Sequence, residues 1–300
     1  MEIRFPPKLR PGDRIAVVAP SSPFDRDDLE RGLAWLRARY EVRVDDGIMT
    51  RAGYLAGDDA RRQRELAAAM GDPDVRAIVA ARGGYGAMRV LDALPWDAWA
   101  ARPSWIVGFS DVTALHVEAL RRGVASVHGP HVTGLGRDEH PNLRAALLVA
   151  LEAAAAPRAW EGLTVVHAGS AAEGPIVGGN LALLEAMAAS GRLAIPAGAI
   201  LALEDVTERP YRLDRMLTAL ALGGHLARAG AIVLGAFDKC DPGTDGVTAE
   251  SVLAERTAHL GVPVLAGAPF GHAAQNDAFV LGARVRVEGA TVRSLERDEA

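Results

Sequence analysis

The chain has 300 residues, of which 49% are hydrophobic and 24% charged, and its formal net charge is −5. This length suits one large domain or two modest ones, and the weak negative charge offers no general attraction to nucleic acid or anionic lipid. The single cysteine, Cys240, excludes an intramolecular disulfide and a cysteine zinc site. With no signal-peptide pattern and no bilayer-spanning apolar run, we expect a cytoplasmic, soluble protein that binds neither nucleic acid nor membrane.

Short apolar runs alternate with helical patterns in the first half of the chain. The runs are RIAVVAP (Arg14–Pro20), VRAIVAARGG (Val75–Gly84) and SWIVGFS (Ser104–Ser110). Each predicts a buried strand, and the alternation with helices predicts an α/β fold with a mostly parallel sheet flanked by helices. The uniformly apolar character of these strands indicates burial on both faces of the sheet.

An alanine-rich helix is predicted to end at Pro157, where the pattern changes, so we place a domain boundary at residue 160. The two domains then span residues 1–160 and 161–300. The second begins with strand-and-turn character and contains the further short strands AILALED, AGAIVLGAFD and VPVLAGAPFGH and the helix YRLDRMLTALALGG. The C-terminal AFVLGARVRVEGATVRSLER predicts an antiparallel hairpin or meander.

Three polar residues stand at the downstream ends of predicted strands: Ser110, Glu204 and His272. Ligands of open parallel sheets gather at the carboxyl ends of the strands, so chemistry is expected there. A serine, a histidine and a carboxylate are the components of nucleophilic acyl transfer, in which the imidazole removes the serine proton and the carboxylate orients the imidazole.

Local sequence leaves the role of Ser110 open. Serine is a common helix N-cap, and the following Asp111 and Thr113 could cap the same helix. The nucleophile-elbow motif G-x-S-x-G is incomplete, because Val112 replaces its second glycine. Glu204 and Asp205 are also unresolved, since neighbouring residues of a strand point to opposite faces and spacing does not say which one meets a histidine.

Other motifs allow both a functional and a structural interpretation. The glycines of ARGGYGAM (Ala81–Met88) between a strand and a helix suit an oxyanion hole, a phosphate site or a simple tight turn. His128 and His131 could be imagined as metal ligands, but no nearby acidic residue completes a site. Asn180 in GGNLALL fits a helix cap.

Seven segments, spread in order along the chain, have to be taken together: PGDRIAVVAPSSP, ARGGYGAMRVL, WIVGFSDVTALH, HGP, GGNLALL, LEDVTERPYRLDRML and GAPFGH. As an ordered set they resemble the serine LD-carboxypeptidases, the family of the muramoyl-tetrapeptide carboxypeptidases and the related microcin self-immunity peptidases. The resemblance extends from about residue 6 to residue 285.

The resemblance implies a Ser110 nucleophile, a Glu204 acid rather than Asp205, and a His272 base. It also implies an oxyanion hole from the backbone N–H groups of Gly84 and Asp111. Substrate contacts are implied for Asn180, Gly129 and Pro130.

The implied architecture is an N-terminal domain like the class I glutamine amidotransferases, with the nucleophile, and a smaller C-terminal swivelling β/α domain with the acid and the base. The active site would then be an interdomain cleft.

The implied reaction releases terminal D-alanine from murein tetrapeptide or a related small peptide, with no metal or organic cofactor, in a homodimer. A microcin-type peptidase acting on acyl-sulfamoyl nucleotides or acyl-adenylates is the alternative enzyme, and a non-catalytic binding protein is the alternative outside catalysis.

Overall fold

The computed structural model describes residues 2–137, 142–153 and 159–295. In these ranges the chain forms two compact units, each built on its own β-sheet. The first unit comprises residues 2–137 and 142–153 together with Asp277–Val280, and the second comprises residues 159–276 and 281–295. Both sheets are accompanied by helices, so the predicted α/β fold is confirmed.

Within the described part of the chain, the first sheet has six strands: β1 (Arg14–Val18), β2 (Glu41–Val44), β3 (Val75–Ala80), β4 (Trp105–Gly108), β5 (Ser126–His128) and β11 (Phe279–Leu281). Their spatial order is β11-β5-β4-β3-β1-β2, and the pairs from β5 through β2 are parallel. Strands β3, β4 and β5 are almost entirely buried, as their apolar sequences require. The predicted mostly parallel sheet is therefore confirmed.

The helices of the first unit are α1 (Arg26–Arg37), α2 (Asp59–Gly71), α3 (Trp96–Ala101), α4 (Thr113–Arg121), α5 (Val132–Arg137) and α6 (Asn142–Leu148). Short 3₁₀ helices span Ala87–Ala93 and Ser110–Val112, and a π-helical turn, Val149–Ala153, follows α6. The side chain of Asp25 caps α1 and that of Asp58 caps α2. The predicted end of the alanine-rich helix at Pro157 lies outside the described residues.

The second sheet has seven strands among the described residues: β6 (Thr164–His167), β7 (Ala172–Asn180), β8 (Ala199–Val206), β9 (Ala229–Asp238), β10 (Val264–Ala266), β12 (Arg284–Glu288) and β13 (Thr291–Ser294). Their order is β13-β12-β7-β8-β9-β10-β6, with a parallel centre from β7 to β10 and antiparallel strands outside it. The accompanying helices are α7 (Leu181–Ala189), α8 (Pro210–Leu222), α9 (Ala249–Thr257) and the 3₁₀ helices Leu226–Arg228 and Ala258–Leu260.

The C-terminal prediction is only partly right. Strands β12 and β13 form the predicted antiparallel hairpin. Phe279–Leu281, which the sequence assigned to the same hairpin or meander, instead adds to the edge of the first sheet beside β5. The physical reason is burial, because Phe279 is fully buried and its ring stacks on that of His128 with centroids 4.9 Å apart.

No helix in the described ranges is both long enough and apolar enough to cross a membrane.

Helices α1 and α5 approach so closely that a Cβ atom at Gly32 would collide with the carbonyl oxygen of Val132. Gly32→Ala is therefore expected to lower the free energy of unfolding by about 2 kcal/mol, because overpacking outweighs the better helix propensity of alanine. Gly71→Ala in α2, where a Cβ meets nothing within 4 Å, is the matched control and should be neutral or stabilising by up to about 1 kcal/mol. Urea unfolding measures both, and equal midpoints would contradict the close approach.

Candidate active site

Ser110 has a backbone conformation that residues with a side chain rarely adopt. It lies between β4 and α4, at the start of the 3₁₀ helix Ser110–Val112, and its φ is +59°. This left-handed conformation costs a residue with a Cβ atom about 1–2 kcal/mol. A serine at a tight strand-to-helix turn is the geometry of a nucleophile elbow, which exposes the hydroxyl at the end of the strand. The chain therefore forms an elbow although its sequence motif is incomplete.

The missing second glycine of the motif has a steric explanation. A Cβ atom at Gly108 would lie 2.8 Å from the Val112 side chain, so this first glycine already provides the room that the turn needs. Capping does not explain the serine, because neither the 3₁₀ helix nor α4 has a side-chain cap at its start. The interpretation of Ser110 as an ordinary helix cap is wrong.

The carbonyl group of Gly108, two residues before the serine, is held by two donors. It accepts hydrogen bonds from the Gly129 backbone N–H at 3.1 Å and from His116 Nε2 at 2.8 Å. Burial lowers the pKa of His116 to about 4, so the imidazole is neutral near pH 7 and carries its proton on Nε2. His116 is thus a buried structural histidine that fixes the end of β4.

Phe109, the residue directly before the serine, is held by His131. The Nε2 atom of His131 lies 3.0 Å from the Phe109 carbonyl oxygen, and the two rings stack with centroids 4.4 Å apart. Within the described ranges, no group of three or more His, Cys, Asp or Glu side chains is placed to hold a metal ion. His131 packs against the elbow, whereas the sequence raised it only as a metal ligand.

The glycine loop, defined here as residues 83–86, runs between two serines. A Cβ atom at Gly83 would lie 2.9 Å from the Cβ of Ser110, and one at Gly84 would collide with the Ser22 side chain. Ser22 also makes two hydrogen bonds to the loop. Its backbone N–H donates to the Gly83 carbonyl at 3.2 Å, and its hydroxyl oxygen accepts from the Tyr85 N–H at 3.1 Å.

This arrangement orients the peptide groups of the loop. In a trans peptide the N–H of Gly84 points opposite to the Gly83 carbonyl, and that carbonyl points at Ser22. The Gly84 N–H is therefore directed away from Ser22. On the other side of the elbow, the N–H of Asp111 belongs to the first turn of a helix and has no acceptor inside it.

In the second unit, His272 and Glu204 form a short hydrogen bond. The distance from His272 Nδ1 to Glu204 Oε2 is 2.6 Å, and the Glu204 side chain is completely buried. Burial alone lowers the pKa of His272, but the hydrogen bond and charge of Glu204, together with the charges of Asp205 and Asp238, outweigh it and raise the pKa above its ordinary value. The carboxylate accepts the hydrogen bond and so fixes Nδ1 as the donor nitrogen of the ring.

Gly271 makes this approach possible. Its φ is +114°, and a Cβ atom there would lie 3.0 Å from both the Cβ and the Oε2 of Glu204. Its N–H donates to Asn276 Oδ1 at 3.0 Å. The preceding Phe270 is fully buried and stacks on Trp160 with ring centroids 5.4 Å apart. These contacts anchor the turn on both sides of the glycine.

Asp205, the other candidate acid, has different partners. Its carboxylate accepts hydrogen bonds from Asn180 Nδ2 at 3.0 Å and from the N–H groups of Ala182 and Val206. Burial is the main cause that raises the pKa of Asp205 to about 6. Asn180 caps α7 by accepting from the Leu183 N–H at 3.1 Å, which confirms its capping interpretation.

The remaining predicted substrate contacts are buried. Gly129 and Pro130 lie directly after β5, and a Cβ atom at Gly129 would lie 2.8 Å from the Cβ of Ala278. Their predicted contact with substrate, like that of Asn180, stays a prediction.

The sequence motifs gave no specific role at the elbow to three residues that lie around it: Gly83, Ser22 and His131. These residues lie in the segments ARGGYGAM, PSSP and HGPH. A signal was available in the position of these segments after β3, β1 and β5, because the carboxyl ends of parallel strands lie at one edge of a sheet.

Comparisons with known proteins agree on one family. The model of the LD-carboxypeptidase N-terminal domain matches residues 15–129, and that of the LD-carboxypeptidase C-terminal domain matches residues 173–287. The murein tetrapeptide carboxypeptidase of Pseudomonas aeruginosa is 36% identical over 292 residues, which cover 93% of this chain and 94% of that protein.

Solved structures show the same fold. The crystal structure of muramoyltetrapeptide carboxypeptidase from Oxalobacter formigenes matches with a TM-score of 0.83 at 28% identity, covering 93% of this chain and 97% of that one. MccF in complex with glutamyl sulfamoyl guanosine matches with a TM-score of 0.83 at 22% identity, covering 97% and 98%. Since both domain models match in order and together span more than half of its length, the chain belongs to the LD-carboxypeptidase family of peptidases.

Proposed function

We propose that this chain is a serine hydrolase that cleaves the L,D-amide bond of murein tetrapeptide and releases its terminal D-alanine. The observation that carries the proposal is the elbow at Ser110, where a strained serine follows a buried strand. Strain of this kind persists where the surrounding structure enforces it, and it is typical of catalytic sites. The 36% identity to a murein tetrapeptide carboxypeptidase supports this choice of substrate.

In the proposed first step, the Ser110 hydroxyl attacks a carbonyl carbon of the third residue of the peptide. This carbonyl group is attached to the L-configured centre of that residue. His272 Nε2 takes the hydroxyl proton, and the carbonyl oxygen becomes an oxyanion. We assign the stabilising donors to the backbone N–H of Gly84, which is directed away from Ser22, and to that of Asp111, which has no acceptor inside its helix. Preorganised donors of this kind contribute on the order of 10²–10³-fold each to kcat.

The tetrahedral intermediate then breaks its C–N bond. His272 returns the proton to the leaving amine, D-alanine departs, and the tripeptide remains as an ester on Ser110. A water molecule attacks the ester carbonyl of this acyl-enzyme while His272 takes its proton. The bond between the acyl carbon and Ser110 Oγ then breaks, His272 returns the proton to Oγ, and the tripeptide leaves as a carboxylic acid. Glu204 stabilises the imidazolium through the 2.6 Å hydrogen bond to Nδ1.

The wild-type chain is expected to release D-alanine and tripeptide in equal amounts from murein tetrapeptide. D-Alanine is measured with D-amino acid oxidase and the tripeptide by mass spectrometry. The matched control is the same tetrapeptide with terminal L-alanine, which should stay intact because the leaving residue has the wrong configuration. Absence of D-alanine release would refute the proposal.

The competing substrate class is an acyl-sulfamoyl nucleotide. MccF, which was solved with such a molecule, shares the fold but only 22% identity with this chain. Glutamyl sulfamoyl adenosine is therefore included in the same assay. Its cleavage without D-alanine release would assign the microcin-type activity, and turnover of neither compound would favour a binding protein. Peptidoglycan recycling, the homodimer and the cytoplasmic location stay predictions.

A further inference from the structure

The side chain of Asp111 is buried beneath the elbow and is used by neighbouring loops. It is 1% exposed, and its Oδ2 atom accepts two hydrogen bonds, from the Ser21 hydroxyl at 2.5 Å and from the Ala87 backbone N–H at 2.8 Å. The proposed oxyanion hole uses only the backbone N–H of this residue. The carboxylate therefore has no role in the mechanism as described above.

The two donors belong to two different loops. Ser21 lies in the segment after β1, and Ala87 directly follows the glycine loop after β3. Asp111 itself follows β4, and β4, β3 and β1 are neighbours in the sheet. A single carboxylate oxygen thus cross-links the loops at the carboxyl ends of three adjacent strands.

A buried cation supports the same loops. The guanidinium of Arg62 is completely buried and donates to the carbonyl groups of Pro20 and Gly86. These residues directly precede Ser21 and Ala87, the two donors to Asp111. Burial of a carboxylate is costly and raises the pKa of Asp111, so an apolar residue would suit a purely space-filling role better.

We propose that the Asp111 carboxylate is a positioning residue that holds the glycine loop in register with Ser110. The inference rests on the proposed function, because the loop is taken to supply the Gly84 donor to the oxyanion. Loss of the cross-link frees the Ala87 end of the glycine loop and shifts the Gly84 N–H relative to the reacting carbonyl. A displacement of about 1 Å in an active site can cost on the order of 10²-fold in rate.

The test compares three substitutions that leave the backbone N–H of residue 111 in place. Asp111→Ala removes both hydrogen bonds, and we expect kcat to fall about 100-fold with KM changed less than about threefold. Ser21→Ala removes one bond, and we expect a loss of about tenfold. Asp111→Asn retains an oxygen where Oδ2 lies, and we expect it to stay within about fivefold of wild type. Asp25→Asn, at the cap of α1, is the charge-matched control and should equal wild type.

Amide hydrogen exchange provides a readout that does not depend on activity. The Ala87 amide should exchange at least about tenfold faster in Asp111→Ala than in wild type, and close to the wild-type rate in Asp111→Asn. If Asp111→Ala does not fold, Ser21→Ala carries the test through its expected loss of kcat of about tenfold.

Folded Asp111→Ala and Ser21→Ala variants with wild-type kcat would overturn the positioning role, as would an unchanged exchange rate of the Ala87 amide in folded Asp111→Ala. If Asp111→Asn lost as much kcat as Asp111→Ala, the positioning role would not depend on the two hydrogen bonds to Oδ2. A wild type that releases no D-alanine would refute the proposed function instead, and exchange at Ala87 would still report on the cross-link.

Discussion

Ser110→Ala is expected to lower kcat for D-alanine release by about 10⁴-fold or more while KM changes little. The hydroxyl is the proposed nucleophile, and loss of a nucleophile removes covalent catalysis without removing the groups that bind the substrate. The coupled D-alanine assay measures the rate, and labelling by a fluorophosphonate should disappear together with it. Ser251→Ala on α9, whose hydroxyl donates only to the Thr248 carbonyl, is the control and should behave as wild type.

Ser110→Gly separates the hydroxyl from the backbone strain. Glycine adopts a φ of +59° freely, whereas alanine retains the Cβ atom that makes this conformation costly. Both variants should be inactive, but Ser110→Gly should be more stable than Ser110→Ala by about 1 kcal/mol in urea unfolding. If the kcat of Ser110→Ala were within tenfold of the wild-type value, Ser110 would not be the nucleophile. If Ser110→Gly and Ser110→Ala had equal free energies of unfolding, the backbone of Ser110 would not be strained.

The first sheet could be predicted because its signals are local. Buried parallel strands are apolar along their whole length, and the runs at β1, β3 and β4 are of this kind. Strand β11 gave no such signal, because Phe279–Leu281 is as apolar as a strand of the hairpin that follows it. Its place beside β5 depends on a contact between residues about 150 positions apart, which periodicity does not encode.

The residue types of the candidate site could be predicted from the sequence, but which acid pairs with His272 could not. Strand alternation places Glu204 and Asp205 on opposite faces, and both are acids at the end of one strand. Which of them meets His272 is decided by Gly271, whose missing Cβ atom lets the turn approach Glu204. A glycine at a turn has many uses, so its effect on a distant carboxylate was visible only in the structure.

Glu204→Gln is expected to lower kcat by about 10³–10⁴-fold, because the imidazolium formed during catalysis loses its negative partner. The pH dependence of kcat/KM should shift as well. His272 acts as a base only when it is neutral, so activity rises as the pH increases through its pKa. That pKa is raised in the wild type, because the hydrogen bond and charges of Glu204 and its neighbours outweigh burial. In Glu204→Gln the charge that opposes the effect of burial is gone, so the pKa of His272 should fall. The acid limb, which is the part of the pH profile where activity rises with pH, should therefore move to lower pH.

Two variants define how this result is interpreted. His272→Ala removes the base itself, and its kcat should fall at least as far as that of Glu204→Gln. The pH profile of His272→Ala should no longer show an acid limb caused by residue 272. Asp205→Asn removes the neighbouring charge, which does not touch the imidazole, and should shift the acid limb less than Glu204→Gln does. If Glu204→Gln left the acid limb in place, or moved it to higher pH, Glu204 would not be the partner that sets the protonation of His272. If Asp205→Asn shifted it more, Asp205 would be the acid of the site.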